Sequence, residues 1–420
     1  MDKFLINGPC RIKGNVSISG SKNASLPILA ATLLFNKPVI IKNLPRVRDI
    51  NTMLNLLKSL GSKIILSRDR KTAKIINKKN MKTFASYSLV KTMRGSILVL
   101  GPLISKFYKS KTSLPGGCSI GARPVNYHLS ALKKLGMSYK IKDGYILAKT
   151  KGRLKGSMIK FPKISVGATE NLIIAACLAK GKTTLKNCAI EPEIKDLTNF
   201  LNSAGAKIKW FGRTCKILGT DSLNQTEYTV MADRIEAGTF CVAATLTKGN
   251  LEIKDFNPDV IRTELELLRK AGARIRIESN KITIIGPEKI KPIKNIKTRE
   301  WPGIATDMQS QLMVLMCRAD GKSSITENIF ENRFLHVGEL QRLGANIQIK
   351  KNKAFIDGNT KFIGAELMSS DLRASVALVL AAMISDGKSY INRIYHLDRG
   401  YENLEGKLKR IGVKIKRVKK

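Results

Sequence analysis

The sequence predicts an α/β protein of two domains, each built from three copies of one repeat, and two observations carry that prediction. A ten-residue motif recurs six times, as LLKSLGSKII, LKKLGMSYKI, LNSAGAKIKW, LRKAGARIRI, LQRLGANIQI and LKRIGVKIKR, with its glycine at Gly61, Gly136, Gly205, Gly272, Gly344 and Gly412, 67 to 75 residues apart. A second echo runs out of phase with the first: LLFNKPVIIKNLP, LISKFYKSKTSLPGG, CLAKGKTTLKNCAIEPE, TLTKGNLEIKDFNPD, CRADGKSSITENIFENR and MISDGKSYINRIYHLDRG.

Each element of the repeat has its own signal. Before the motif glycine, apolar residues recur at helical spacing; after it they alternate, as in a half-buried strand. Glycine takes the left-handed turn that ends a helix at little steric cost, so each motif reads as an amphipathic helix closing and a strand opening. The second echo reads as helix end, turn, strand and loop. One repeat is thus a two-helix, multi-strand module of about 70 residues, too small to bury its own helices. Three repeats closing around a shared helical core give a domain of about 200 residues, within the usual size range. The dividing line is expected near Tyr228 to Arg234, where TVMADRIEAGTF begins a new helix, and no Pro/Gly/Ser-rich linker marks it, so the hinge should be short.

Composition narrows the function classes. Hydrophobic residues at 43% and charged residues at 25% describe a globular chain. The longest apolar stretches, such as SVALVLAAMI, are too short to span a bilayer, and the start, MDKFLINGPC, lacks the apolar core of a secretory signal. A cytoplasmic protein without a membrane partner is expected. Seven scattered cysteines with no CxxC pair, and three histidines, argue against a disulfide framework or a zinc site. The net charge of +43 suggests a nucleic-acid partner at first sight. The excess is lysine spread through every repeat, a pattern that fits solvated faces better than a nucleic-acid groove. A basic surface still speeds the arrival of an anionic small substrate.

If the repeats share one frame, chemistry is expected where they diverge, in the loops after the strands. SLPGGCSIGARPVNYH places Cys118 between Gly116, Gly117 and Gly121, with Arg123 five residues on. That composition suits a lid carrying a reactive thiol over an anionic ligand, because nearby positive charge favours thiolate. Cys177, Cys241 and Cys317 lie in apolar helical runs and are expected in the core. GSKNASLPIL puts Lys22 and Asn23 at a helix start, where a cation and backbone amides could converge on a phosphate. Arg94 follows KTM; Asp307 lies in TDMQSQL, Arg333 in FENRF, Asp371 and Arg373 in SSDLRAS, and Arg399 in HLDRGYE. For any one Asp-Arg pair taken alone, a local salt bridge or helix cap is the stronger reading. Several such loops at equivalent repeat positions favour a shared cleft.

PGGCSIGARPVNYHL, SVGATENLIIAA, DRIEAGTF, TDMQ, ENRF, DLRAS and DRGYE, in this order, resemble the UDP-N-acetylglucosamine 1-carboxyvinyltransferases, the enolpyruvyl transferases of early peptidoglycan synthesis. The resemblance covers essentially the whole chain. It implies an inside-out α/β barrel, two domains each of three repeated βαβαββ-type units, spanning 22–232 for the first and 1–21 with 233–420 for the second. It implies addition of the sugar 3'-hydroxyl to C2 of phosphoenolpyruvate and then elimination of phosphate, with no metal or redox cofactor and no need of an oligomer. Carried over by motif, Cys118 resembles the proton donor to C3 and the residue that forms a thioether adduct. Asp307 matches the carboxylate beside the sugar hydroxyl. Lys22, Asn23, Arg123, Arg373 and Arg399 match the phosphoenolpyruvate clamp, of which Lys22, Arg123 and Arg399 also count as catalytic. The nucleotide sugar is expected at Arg94, at Arg123, Pro124, Val125, Asn126 and Tyr127, at Lys163, Ile164, Ser165 and Val166, at Asp307 and at Ile329. Glu191, Glu193 and Arg333 are expected to support these groups. Two positions depart from the pattern: Asn126 stands where an aspartate is common, and Ala305 where a proline is common, which predicts a looser approach to Asp307. The shikimate-pathway enolpyruvyl transferases share the architecture but characteristically lack the cysteine loop, and are the alternative. A basic nucleic-acid-binding protein on a similar fold is the alternative of another class.

Overall fold

Residues 2–91, 93–115 and 125–419 are described by a computed structural model. The chain divides into two compact units. A continuous one comprises 20–115 with 125–231, and a split one comprises 2–19 with 232–419.

The six motif glycines all have φ between 92° and 113°, the left-handed region that side chains resist. Each follows a helix and precedes a strand. Arg48–Leu60, Asn126–Lys134 and Pro192–Ser203 in the continuous unit lead to Lys63–Leu66, Ser138–Lys142 and Lys207–Phe211. Arg262–Lys270, Val337–Arg342 and Leu404–Arg410 in the split unit lead to Arg274–Glu278, Ile347–Lys350 and Ile415–Val418. These helices are amphipathic: in Arg48–Leu60 the buried residues are Asp49, Ile50, Met53, Leu54, Leu56, Leu57 and Leu60, a stripe at helical spacing.

The other helix of each repeat is buried along most of its length. In the continuous unit Lys22–Ala31, Leu100–Phe107 and Val166–Ala176 pack together; in the split unit the corresponding helices are Arg234–Leu246, Gln309–Cys317 and Leu372–Ile384. Every residue of Arg234–Leu246 is buried, Arg234 and Glu236 included. Helices buried on most faces need a jacket, and among the described residues six four-stranded sheets supply it, three per unit. In the continuous unit Thr226–Thr229, at the end of the third repeat, pairs in parallel with Val39–Lys42 of the first. In the split unit the chain start supplies two strands: Lys3–Gly8 inserts between Gly387–Asn392 and Ile415–Val418, and Lys13–Ser17 pairs with Asn250–Lys254. Each unit has its own hydrophobic core. Among the described residues no helix is long and apolar enough to cross a membrane.

Candidate active site

In the continuous unit the candidate residues stand at helix starts. Ser21 caps Lys22–Ala31, its Oγ accepting from the Ala24 amide at 3.2 Å, which places Lys22 and Asn23 in the first turn at the positive end of the helix dipole. Lys22 Nζ lies 3.3 Å from Asp49 Oδ2, with side chains 12% and 5% exposed. Asn23 is half-buried beside it. Gly95 packs so closely on this helix that an added Cβ would sit 3.1 Å from Leu26 Cδ1, and Arg94 opens the same short turn, Arg94–Val99.

Asn171 ties that turn to the next elements. Its Oδ1 accepts from the Gly101 amide at 2.8 Å, and its Nδ2 donates to Ile97 O at 3.1 Å and to His128 Nδ1 at 3.0 Å. Because the Gly101 amide fixes the oxygen end of the carboxamide, His128 Nδ1 accepts and the ring proton sits on Nε2. Burial, with the Arg94 charge adding to it, pushes His128 down to about 4, so the ring is neutral. Val125, Asn126 and Tyr127 form the start of the helix that carries His128. Ser165 caps Val166–Ala176, and an added Cβ at Gly167 would meet His128 Cε1 at 3.3 Å. The Asn171–His128 bond therefore gathers Arg94, Val125, Asn126, Tyr127, Ser165 and Val166, while Lys163 and Ile164 lie in the preceding loop. Glu191 and Glu193 are buried near Glu170, whose carboxyl is pushed well above its ordinary value by burial and by those two charges. Cys118, Arg123 and Pro124 lie outside the described residues.

In the split unit the site centres on Asp307. Arg333 Nη2 donates to its Oδ1 and Arg373 Nη2 to its Oδ2, the latter at 2.8 Å; both arginine side chains are 4% exposed and the carboxylate 26%. Two buried guanidinium groups so hold one partly open carboxylate, the charge-assisted geometry in which arginine outperforms lysine. Arg333 also reaches Thr306 O at 3.3 Å and has Asp371 4.0 Å from Nη1. Asp371 caps Leu372–Ile384, its Oδ1 accepting from the Arg373 and Ala374 amides. The cap reading of the Asp-Arg pair thus holds for Asp371, while the Arg373 side chain serves Asp307. Glu327 Oε1 accepts from the Ile329 amide at 2.8 Å and its Oε2 from Thr306 Oγ1 at 3.0 Å, fixing Ile329 beside the Asp307 turn. Arg399 ends the turn Ile394–Arg399, and its charge, after burial, holds His396 below the usual histidine range. The Ala305 amide donates to Glu264 Oε1 at 3.2 Å, a tether a proline would lack, so the approach to Asp307 is not loosened there.

Asn171, His128, Glu327, Gln311, Thr239 and Tyr401 were not identified from the sequence as site-supporting groups. The available signal was an uncharged polar side chain inside an apolar helical run, as with Asn171 in NLIIAA and Gln311 in QSQLMVLM.

Comparison with known proteins assigns the family. A family model described as EPSP synthase (3-phosphoshikimate 1-carboxyvinyltransferase) matches residues 6–408. The chain is 61% identical over 419 residues, covering 100% of both chains, to UDP-N-acetylglucosamine 1-carboxyvinyltransferase from Pelagibacter ubique (strain HTCC1062). It is 49% identical to the protein of that name from Trichlorobacter lovleyi (strain ATCC BAA-1151 / DSM 17278 / SZ), covering 100% of this chain and 99% of that one. Among solved structures, the enolpyruvyl transferase NikO from Streptomyces tendae superposes with a TM-score of 0.89 at 24% identity over 99% of each chain, a likeness of fold. By sequence over its full length and by its two-domain α/β fold, the chain belongs to the enolpyruvyl transferase family, with the UDP-N-acetylglucosamine 1-carboxyvinyltransferases as its curated relatives.

Proposed function

We propose that this protein transfers the enolpyruvyl group of phosphoenolpyruvate to the 3'-hydroxyl of UDP-N-acetylglucosamine with release of phosphate, the first committed step of peptidoglycan precursor synthesis, in the cytoplasm. The observation that carries the reading is 61% identity over the whole chain to a relative of that activity. In the addition, the sugar oxygen bonds to C2 while C3 takes a proton; in the elimination, C3 gives up a proton and phosphate leaves with the C2–O electron pair. Asp307 receives the hydroxyl proton. Cys118 supplies the proton to C3 and is the residue open to a thioether adduct. Lys22, Asn23, Arg123, Arg373 and Arg399 hold the phosphate and carboxylate of phosphoenolpyruvate. Arg94, Arg123 to Tyr127, Lys163 to Val166, Asp307 and Ile329 hold the nucleotide sugar.

Asp307 adds a condition. Two guanidinium groups hold this carboxylate, so a proton arriving at it competes with hydrogen bonds it already accepts. Phosphoenolpyruvate brings anionic groups that compete for Arg373, and each contact transferred leaves Asp307 better able to take the hydroxyl proton. Substrate binding thereby arms the base.

The same reading implies domains at 22–232 and at 1–21 with 233–420, and an inside-out barrel; largely buried helices packed against sheets in each unit support it. Phosphate release is expected only with phosphoenolpyruvate and UDP-N-acetylglucosamine together, and Cys118→Ala is expected to abolish it. Full turnover by Cys118→Ala would remove that role from the thiol, and turnover with shikimate 3-phosphate alone would replace the acceptor.

A further inference from the structure

Beside Arg373 lies a closed chain of contacts that the proposed chemistry does not use. Tyr401 is 3% exposed, with Arg373 Cζ 5.5 Å from its ring centroid. That hydroxyl lies 2.9 Å from Thr239 Oγ1. Thr239 spends its one proton on Ile235 O at 2.7 Å, so Oγ1 accepts from Tyr401 and also from Gln311 Nε2 at 3.2 Å. Gln311 Nε2 gives its other proton to Asp307 O at 3.0 Å. The chain runs from the Arg373 guanidinium through Tyr401, Thr239 and Gln311 to the main chain of Asp307, and the Arg373–Asp307 ion pair closes it.

We propose that Tyr401, Thr239 and Gln311 are positioning residues that fix the Arg373 guanidinium against Asp307, so that the arginine can be shared with phosphoenolpyruvate without being displaced. The inference rests on the function proposed above. Three features carry it. Thr239 Oγ1 accepts from both Tyr401 and Gln311, and with its own proton on Ile235 O it has none left to reverse either link. Thr239 and Gln311 are only 3% and 0% exposed, so each lost bond leaves a polar group that water cannot reach. The Tyr401 ring packs against the guanidinium, and the bond from its hydroxyl to Thr239 holds that ring in place.

The test compares Tyr401→Phe, Thr239→Val and Thr239→Ser with the parent protein in steady-state phosphate release. Parental turnover comes first: a parent inactive with both substrates would defeat the proposed function itself. With an active parent, Tyr401→Phe and Thr239→Val are each expected to lower kcat about tenfold and raise KM for phosphoenolpyruvate about fivefold, with KM for UDP-N-acetylglucosamine within twofold of the parent. Thr239→Ser, which keeps the hydroxyl, should restore both parameters. The double variant Tyr401→Phe/Thr239→Val should be no worse than either single one, because both break the same link. Single variants within twofold of the parent, a serine variant as impaired as the valine one, or losses that fall equally on both KM values would overturn the inference.

Discussion

At the scale of single residues, the departures from the family pattern have physical consequences of their own. Ala305 has φ −63°, which proline would accept without strain. Proline would stabilise by about 0.4–1 kcal/mol through the unfolded chain, but would delete the amide that donates to Glu264, and a hydrogen bond to a charged group is worth about 1.5–3 kcal/mol. The second effect is larger. Ala305→Pro is therefore expected to destabilise the protein by about 1 kcal/mol, measured as a lower midpoint in urea unfolding, and an unchanged or higher midpoint would show that the Glu264 contact contributes little. Cysteines sort by surroundings in the same way. Burial pushes the Cys177, Cys188 and Cys317 thiols up to about 12, and Cys215 and Cys241 rise for the same reason, so these five are poor nucleophiles.

Elements pack closely where glycine allows it. Leu100–Phe107 and Val166–Ala176 approach so near at Gly101 that an added Cβ would lie 2.2 Å from Asn171 Oδ1 and 2.6 Å from its backbone oxygen. Gly101→Ala must either separate the helices or break the bond from the Gly101 amide to Asn171. Over-packing of this kind costs about 1–3 kcal/mol, and here it also frees the carboxamide that sets the His128 tautomer. A fall in thermal midpoint is expected, measured by calorimetry; a parental midpoint would mean that the helices shift at no cost. The helix–glycine–strand steps were legible in the sequence because each glycine closes a helix at a fixed offset from apolar positions of period 3.6, and the structure puts all six at positive φ. Helices such as Gln309–Cys317 were legible as apolar runs. Asp307, Arg333 and Arg373 could be picked out as charged residues in diverging loops, but not as partners, since sequence separation says nothing of which loops a fold brings together. The Tyr401–Thr239–Gln311 chain was harder still: its members belong to two helices and a loop and carry no charge, so only coordinates reveal that their donors and acceptors match.

At the scale of the whole molecule, each unit keeps one buried neutral histidine, and the two units should respond differently to acid. Burial pushes His336 in the split unit and His128 in the continuous unit down to about 4, against about 6.5 when unfolded; near His336, Asp371 opposes the shift and Arg333 adds to it. Such a group binds a proton in the unfolded state before it does in the folded one, so its stability contribution is intact above pH 6.5 and is lost as pH falls towards 4, about 3 kcal/mol for each. The continuous unit has an opposing group. Asp196, which accepts from the Tyr228 hydroxyl and the Met231 amide, is raised to about 6, chiefly by burial, from 3.8. A raised carboxyl holds its proton in the folded state while the unfolded chain has lost it, so this destabilisation disappears as pH falls from about 6 to 4 and offsets about 3 kcal/mol. Glu170, raised for the same reason, acts in the same direction. The split unit has a smaller offset in Glu236, whose rise on burial is countered by Lys407 Nζ at 2.6 Å. Acidification from pH 6.5 to 4 should therefore weaken the split unit more than the continuous one. The two tryptophans report on them separately, Trp210 in the continuous unit and Trp301 in the split unit. In Trp210→Phe and Trp301→Phe variants followed by fluorescence in urea, the Trp301 transition should move to lower denaturant at pH 4.5 than at pH 7, while the Trp210 transition moves less. His336→Gln should flatten the Trp301 response. Equal movement of both transitions would show that these buried groups do not set the acid sensitivity.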